Sequence, residues 1–331
     1  MKNSIIIVTG AAGFIGSNIV ADLHEAGYQK IVCVDWLGNG NKWRNLAKHP
    51  IHHFVTPEEL PAYLDKNKER IGYVIHMGAI SSTTETDVDL LIKNNINYSV
   101  MLWDKCVEYG LPFIYASSAA TYGAEEVDFS DRDDLDYLSQ LRPLNPYGWS
   151  KNSTDIIFAQ NVLEGKKPPQ WVGLKFFNVY GPNEYHKEEM TSVITKFFNE
   201  AQTWHAVKLF KSDRENVADG EQKRDFVYVK DCCKIISWLM ENNHVNGIYN
   251  VGTGTARSFL DVARAIDHEM NDEIELAFKD MPETLKGRYQ YHTKANVQKL
   301  RDQGMDFEFY SLEEGIADYL NGFLKKSDPY R

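Results

Sequence analysis

The sequence predicts an α/β fold: a doubly wound parallel sheet joined to a smaller, discontinuous α/β domain. Short apolar runs alternate with stretches of helical periodicity over residues 4–176. A glycine-rich turn, Gly10-x-x-Gly13-x-x-Gly16, follows the first apolar run, and a second run ends in Asp35, about twenty residues beyond it. Strand, glycine turn, helix, strand and terminal acid, in that order, are typical of a sheet that binds a dinucleotide.

Each of the three glycines has its own structural role in such a turn. Gly10 permits the sharp bend, Gly13 lets the backbone approach a pyrophosphate, and Gly16 allows close packing of helix against strand. A helix beginning near Phe14 would direct its free amides and its dipole toward the phosphates. Asp35 stands where an acid is expected to accept a hydrogen bond from a ribose hydroxyl.

The alternation continues and predicts the rest of the sheet. Further strands are expected at Tyr73–His76, Leu111–Ala116 and Trp171–Phe176. A long helix is expected around Asp87–Tyr109, and another at the segment that contains Tyr147. Strands separated by helices in this way imply a Rossmann arrangement, with helices on both faces of a parallel sheet.

Beyond Asn178 the alternation breaks up into loops. One helix is predicted near Thr191–Trp204, and the charged segment Lys211–Lys223 is predicted to be an exposed, mobile loop. Two later segments are predicted to be strands that return to the first lobe, Asp225–Val229 and Gly247–Val251. We therefore assign residues 1–177 and 225–255 to a dinucleotide-binding Rossmann domain, and residues 178–224 and 256–331 to a substrate-binding domain.

Composition narrows the class of partner. A net charge of −11 over 331 residues disfavours a nucleic acid. Apolar runs stay well short of the roughly 20 residues that span a bilayer. The N-terminal residues do not form a signal-peptide pattern, so we expect a cytoplasmic protein without a membrane partner. The four cysteines have no metal-ligand spacing, and no metal is expected. Cys232 and Cys233, neighbours on a predicted helix, are expected to be packing residues.

Tyr147 and Lys151 are the most informative pair in the chain. Residues four apart share one face of a helix, so the lysine ammonium can favour the tyrosinate and lower the phenol pKa from its usual value of about 10. A phenol whose pKa is lowered toward neutral pH can take a proton from an alcohol that is being oxidised. The pair therefore predicts a general base for alcohol oxidation.

The glycine spacing and Tyr147-x-x-x-Lys151 together resemble the extended short-chain dehydrogenase/reductase family, in which a Ser or Thr such as Ser118 completes the catalytic set. Longer segments resemble the ADP-L-glycero-D-manno-heptose 6-epimerases within that family. These segments are Gly78–Glu85, Ala116–Gly123, Phe177–Pro182 with His186-Lys187, Lys223–Val229 and Lys286–Gln290. A dehydratase is disfavoured, because Ala119 and Ala120 stand where 4,6-dehydratases carry an Asp-Glu pair.

The resemblance implies inversion of C6 of ADP-D-glycero-β-D-manno-heptose in lipopolysaccharide inner-core synthesis, by transient oxidation and return of the hydride to the opposite face. It implies one tightly bound NADP or NAD per subunit, and a homo-oligomer such as a pentamer. Inversion through a planar ketone needs either a second acid/base or a sugar that reorients past a single one. By resemblance the two acid/base groups are Tyr147 and Lys187, Ser118 assists, and Lys151 holds the cofactor ribose.

The resemblance also implies two sets of binding residues. The cofactor is expected to meet Gly10, Gly13, Phe14, Ile15, Gly16, Asp35, Trp36, Lys42, Met77, Gly78, Ala79, Ile80, Ser81, Asn94, Lys151, Val179 and Lys187. The ADP-sugar is expected to meet Ser82, Asn178, Glu189, Lys196, Phe210, Lys211, Ser212, Arg224 and Tyr289. A guanidinium in the second set suits a diphosphate, because it can donate two parallel hydrogen bonds.

Three positions depart from the family pattern. The family usually has Asn at Trp36, Lys near Pro57 and Ser at Glu189. The first two changes leave NAD and NADP both open, since Asp35 disfavours a 2′-phosphate and Lys42 could offset that effect. Glu189 leaves the exact sugar open. Two alternative functions therefore stay under consideration: another nucleotide-sugar epimerase, such as a UDP-hexose 4-epimerase, and a non-catalytic NAD(P)-binding protein.

Overall fold

The computed structural model describes residues 2–123, 128–270, 273–282 and 290–331. In chain order its strands are β1 (Ile5–Thr9), β2 (Ile31–Val34), β3 (His53–Val55), β4 (Ile71–His76), β5 (Phe113–Ser118), β6 (Trp171–Phe176), β7 (Asn178–Tyr180), β8 (Ala206–Phe210), β9 (Lys223–Tyr228), β10 (Gly247–Val251), β11 (Ala256–Ser258) and β12 (Glu275–Lys279). Seven of them form one parallel sheet in the order β10-β6-β5-β4-β1-β2-β3. The order reverses between β1 and β4, which is the switch point where such sheets bind ligands.

Helices cover both faces of this sheet and continue into the smaller lobe. In chain order they are α1 (Phe14–Glu25), α2 (Leu60–Asn67), α3 (Val88–Leu91), α4 (Tyr98–Tyr109), α5 (Leu135–Gln140), α6 (Pro146–Leu163), α7 (Val193–Trp204), α8 (Val229–Glu241), α9 (Phe259–Met270), α10 (Gln298–Asp302) and α11 (Leu312–Tyr319). Short 3-10 segments occur at Lys42–Leu46, Lys68–Arg70, Ala119–Thr121 and Tyr185–Met190, and π segments at Ile92–Asn97 and Leu320–Leu324.

The first strand shows why the sheet is buried on both sides. Ile6 and Val8 pack with helices α1 and α8 in one core cluster. Ile5 and Ile7 point the other way and pack with α2, α4 and α6. Alternate residues of a strand face opposite sides, so a continuous apolar run is what a central parallel strand requires. This confirms the predicted doubly wound fold.

The smaller lobe has its own core. Strands β7, β9 and β11 form a three-stranded sheet, β8 pairs with β12, and α7, α9 and α11 pack over them. The predicted strand at Gly247–Val251 does join the large sheet. The prediction that Asp225–Val229 also returns there is wrong: these residues form most of β9, which pairs with β7 and β11. It is the following helix α8 that packs back against α1.

The structure also bears on the helix predicted around Asp87–Tyr109 and on the cysteines. The single helix expected around Asp87–Tyr109 is three segments, because the π segment Ile92–Asn97 separates α3 from α4. The four cysteines are buried as free thiols, which confirms the packing expected of Cys232 and Cys233. Among the described residues, no helix has both the length and the apolar character needed to cross a membrane.

Candidate active site

A cleft of about 1160 Å³ runs along the carboxyl ends of β1, β4, β5 and β6 and extends to the smaller lobe. Every residue predicted to act in catalysis or to bind the cofactor lines this cleft. Of the residues predicted at the sugar, Ser82, Asn178 and Arg224 line it. Their roles stay predictions, but the fold brings residues from distant parts of the chain to one place.

Five residues predicted at the sugar do not line the cleft. They are Glu189, Lys196, Phe210, Lys211 and Ser212. The ninth, Tyr289, lies outside the described residues. Lys196 is exposed because Ile194, Phe197 and Phe198 form the buried face of α7, and its Nζ donates to the carbonyl of Glu189 at 2.6 Å. The predicted roles of these five residues at the sugar stay predictions, without support from the lining of the cleft.

The glycine turn leaves no room for side chains at its bend. Gly10 has φ +63°, and a Cβ there would lie 2.7 Å from the amide nitrogen of Gly78. A Cβ on Gly16 would lie 2.0 Å from the carbonyl oxygen of Gly10. Helix α1 has Gly13 at its N-cap, with no side-chain cap, so its first-turn amides can donate to an anion. These residues fit the pyrophosphate of a dinucleotide.

Asp35, the acid directly after β2, lines the same cleft and is held there by hydrogen bonds. Asp35 accepts from the backbone amides of Ala12 and Trp36, at 2.8 and 2.7 Å, and from Lys42 Nζ at 2.6 Å. Trp36 Nε1 in turn donates to the carboxylate of Glu58 at 3.1–3.2 Å. The corner expected to receive the adenosine ribose thus contains two carboxylates and one lysine.

Helix α6 presents Tyr147 and Lys151 to the cleft. It begins at Pro146, and the side chain of Asn145 accepts from the amide of Gly148 at 2.8 Å, which caps the helix. Lys151 is buried, its Nζ donates to the carbonyl of Ala116 at 2.9 Å, and burial lowers its pKa to about 8.

The pKa of Tyr147 moves in the direction opposite to that expected from Lys151. Loss of solvent around the phenol raises its pKa, and a hydrogen bond with the Ser118 hydroxyl opposes the rise. The expectation of a lowered pKa is therefore wrong for the protein alone: Lys151 is itself desolvated and donates to a backbone carbonyl. Ser118 is the protein group that favours ionisation of Tyr147.

A buried ion pair lies beneath this helix. Lys175 and Asp155 are fully buried, with Nζ and Oδ2 2.8 Å apart. Asp155 also accepts from the hydroxyls of Tyr115 and Ser117, at 3.0 and 2.7 Å, and Lys175 donates to Thr121 Oγ1 at 2.6 Å. Because each charge has several partners, the pair holds α6 in place against β5 and β6.

The amide side chain of Asn95, in the π segment, joins the loop after β4 to α6. Its Oδ1 accepts from the amide of Ile80 at 2.8 Å, and its Nδ2 donates to the carbonyl of Ile80 and to Ser150 Oγ, both at 3.0 Å. Ser150 Oγ donates in turn to the carbonyl of Tyr147 at 2.7 Å. Short π segments are frequent at functional sites, and this one connects the cofactor loop to the helix of the general base.

Lys187 reaches the same cleft from the other lobe, on a turn that we call the Lys187 turn (residues 183–190). Its Nζ lies 5.4 Å from the ring centre of Phe14, and burial lowers its pKa, although Glu184 opposes this. Two residues of the turn, Asn183 and Glu188, have positive φ, at 72° and 48°. Strain of this kind persists where the surroundings hold the backbone firmly, often at functional sites.

The predicted sets omit several residues that line the cleft. They are, among others, Thr83, Thr84, Tyr98, Asn145, Thr191, Ser192, Val193, Phe259, Gln290 and Thr293. Asn145 could have been found from its place before Pro146, which is typical of a helix start. The others reach the cleft only through long-range packing, which no local pattern encodes.

The sheet, its glycine turn and the set of Ser118, Tyr147 and Lys151 define a dinucleotide-binding protein of the extended short-chain dehydrogenase/reductase type. Residues 6–252 match the NAD dependent epimerase/dehydratase family, and the chain belongs to that family. This confirms the family resemblance and the predicted nicotinamide dinucleotide cofactor.

Known proteins resemble the chain over nearly its whole length. The ADP-L-glycero-D-manno-heptose-6-epimerase of Fusobacterium nucleatum is 46% identical over 98% of this chain and 100% of its own. The crystal structure of the Helicobacter pylori ADP-L-glycero-D-manno-heptose-6-epimerase has a TM-score of 0.81 at 29% identity, covering 97% of this chain and 96% of that one. The UDP-N-acetylglucosamine 4-epimerase of Methanobrevibacter ruminantium has a TM-score of 0.82 at 25% identity, covering 98% and 99%.

Proposed function

We propose that this chain is a nucleotide-sugar epimerase that inverts C6 of ADP-D-glycero-β-D-manno-heptose. The observation that carries the proposal is the presence of two separate acid/base candidates, Tyr147 and Lys187, in one cleft with the dinucleotide turn. The names of the relatives support the same substrate.

We further propose that the chain acts in the cytoplasm as a homo-oligomer. Cell fractionation tests the compartment, and sedimentation velocity tests the oligomeric state.

In this proposal, the glycine turn and Lys151 would hold the nicotinamide dinucleotide, which would supply the hydride chemistry at C6 in both directions. Tyr147 takes the proton from the C6 hydroxyl as a ketone forms, and Ser118 donates a hydrogen bond to the phenolate. For the product, a proton must reach the oxygen on the opposite side of the planar ketone. Lys187 enters the cleft from a different element, and we assign this second transfer to it. Lys151 holds the cofactor ribose, with its position fixed by the carbonyl of Ala116.

The proposal is tested by incubating the purified protein, with NAD or NADP supplied, with ADP-D-glycero-β-D-manno-heptose and following C6 by proton NMR. Conversion to the L-glycero epimer is expected. Lys187→Met should lower turnover by at least about a hundredfold, since a positioned acid/base contributes roughly 10²–10⁴-fold. Lys66→Met, an equal change at an exposed lysine of α2 outside the cleft lining and outside both predicted sets, serves as the control and should keep full turnover.

Other outcomes would separate the alternatives. Conversion that survives Lys187→Met would keep the epimerase and remove Lys187 as the second base. Inversion of UDP-hexoses at C4, with no change in the heptose, would favour a 4-epimerase. Dinucleotide binding without turnover of either sugar would favour a non-catalytic binding protein.

The hydrogen bond from Ser118 predicts a shift in pH dependence. Tyr147 acts as a base only when ionised, and Ser118→Ala removes the hydrogen bond that lowers its pKa. The rise of turnover with pH should therefore move to higher pH, with a loss of about tenfold or more at neutral pH, because a hydrogen bond to a charged group contributes roughly 1.5–3 kcal/mol. Initial rates across pH measure this, and Ser118→Thr should restore the profile. An unchanged Ser118→Ala profile would contradict the role.

The corner at Asp35 predicts a preference for NAD over NADP. Lys42 is already paired with Asp35, and the Glu58 carboxylate lies beside Trp36, so a 2′-phosphate would meet two carboxylates and a lysine that is already paired. Glu58→Lys is expected to tighten NADP binding about tenfold, with little effect on NAD, when measured by calorimetry. Glu59→Lys, an equal charge change at the neighbouring exposed position, is the control. Equal effects of the two variants would contradict a local cause.

A further inference from the structure

Residues 328–331, which we call the brace, contact both the Lys187 turn and the dinucleotide lobe. On the side of the turn, Tyr185 donates from its hydroxyl to the carbonyl of Pro329 at 2.8 Å, and its ring meets the ring of Tyr330 edge to face, with centres 5.2 Å apart. The backbone amide of Arg331 donates to Asn183 Oδ1 at 2.9 Å. The brace therefore touches the turn on both sides of Glu184.

The brace also contacts the first lobe. The guanidinium of Arg44 lies over the ring of Tyr330, 4.5 Å from its centre, and Lys48 Nζ lies 3.1 Å from the carboxylate of Asp328. A second group of contacts reaches α1. The guanidinium of Arg331 donates to the carboxylates of Asp22 and Glu25 and to the amide oxygen of Asn18.

The turn needs such support because its backbone is strained. Glu188, directly after Lys187, has φ 48° and ψ −115°, and Asn183 has φ 72°. A residue such as Glu188 in such a region costs of order 1–3 kcal/mol and relaxes unless its surroundings hold it, whereas Asn tolerates positive φ more readily. From the first lobe, Asn45 Nδ2 donates to the carbonyl of Asn183 at 3.0 Å and lies 3.1 Å from His186 Nδ1. The brace adds contacts at Tyr185, which lies between these two points.

We propose that Tyr330 is a positioning residue for Lys187: through Tyr185 it holds the strained turn closed against the first lobe, so that the lysine stays in the cleft. This rests on the proposed function only in that Lys187 is taken as the second base. Tyr330 does not itself line the cleft, and therefore it can affect the chemistry only through the turn. A loosened turn would let Lys187 reach solvent and move away from the reacting carbon.

The test compares Tyr330→Ala with Tyr330→Phe, which keeps the ring between Tyr185 and Arg44. Hydrogen exchange measured by mass spectrometry reports on the turn without any reference to activity. In Tyr330→Ala we expect faster exchange in residues 183–190, with exchange in α6 and affinity for the dinucleotide unchanged. Heptose turnover should fall about ten- to a hundredfold, as displacement of a reacting group by an ångström can cause. Tyr330→Phe should match the wild type in both measurements.

A pH profile separates positioning from general destabilisation. Burial lowers the pKa of Lys187, so exposing the lysine in Tyr330→Ala should move the part of the profile due to Lys187 to higher pH. Unchanged exchange in the turn, faster exchange throughout the chain, or a looser turn with full turnover and an unshifted profile would each overturn the proposal. If the wild type does not epimerise the heptose, the proposed function fails, and exchange in the turn still decides whether Tyr330 holds it.

Discussion

Tyr147→Phe is expected to lower epimerase turnover at least a hundredfold and up to about ten-thousandfold, the range that a positioned general base contributes. The phenylalanine ring fills the same volume in the cleft, so the fold and dinucleotide affinity should not change. What is lost is the phenolic oxygen, with its hydrogen bond to Ser118. Stopped-flow or NMR turnover with the ADP-heptose, together with calorimetric titration of the dinucleotide, measures both quantities.

Tyr98→Phe provides the matched control. Tyr98 also lines the cleft, but its hydroxyl donates to the carbonyl of Pro57 at 3.0 Å, next to the corner at Asp35. Removing it should cost only about 1 kcal/mol of stability and leave turnover nearly intact. Should Tyr147→Phe keep more than about a tenth of wild-type turnover, well above what loss of a general base allows, another group must take the proton.

The second large effect concerns stability. Lys175→Met is expected to lower the free energy of unfolding by about 3–5 kcal/mol, because removing one member of a buried ion pair leaves the other charge uncompensated. Asp155 would keep its hydrogen bonds from Tyr115 and Ser117 but would lose its only ion-pair partner among the described residues. Since domains are stable by only about 5–15 kcal/mol, urea unfolding monitored by circular dichroism should show a clear shift.

The paired variant separates charge from packing. Lys175→Met with Asp155→Asn removes both charges, and it should recover a large part of the lost stability. The exposed Lys196→Met should change the free energy of unfolding by less than about 0.5 kcal/mol. If the free energy of unfolding of the single Lys175→Met variant lies within about 1 kcal/mol of the wild-type value, the charge of Asp155 must be neutralised by other means.

The parts of the site that follow directly from the sequence are those encoded by short segments. Gly10 and Gly16 are required by a local bend and a close approach, and their spacing alone predicts both. Asp35 follows from its place at the end of the second strand. Tyr147 and Lys151 follow from one helical spacing. Each of these positions lines the cleft as the pattern predicts.

Positions that depend on distant packing could not be placed in the same way. The side chain of Lys196 is exposed because another face of α7 packs against the core of the smaller lobe. The pKa of Tyr147 depends on desolvation by residues from several elements around it, and spacing carries no measure of that. The apolar run Phe226–Val229 predicts a strand, and most of it lies in β9, which pairs with β7 and β11 in the smaller sheet and not with the large sheet. Composition predicts a strand but does not choose its partners.

Asn95 connects the parts of the protein where the dinucleotide and the sugar are expected to bind. One amide group holds both the backbone of Ile80, beside the dinucleotide turn, and the N-terminal part of the helix that carries Tyr147. A displacement of either element would stretch hydrogen bonds to the other. A dinucleotide that moves Ile80 and a sugar that moves the Tyr147 helix would therefore change each other's affinity, and by the same factor in both directions.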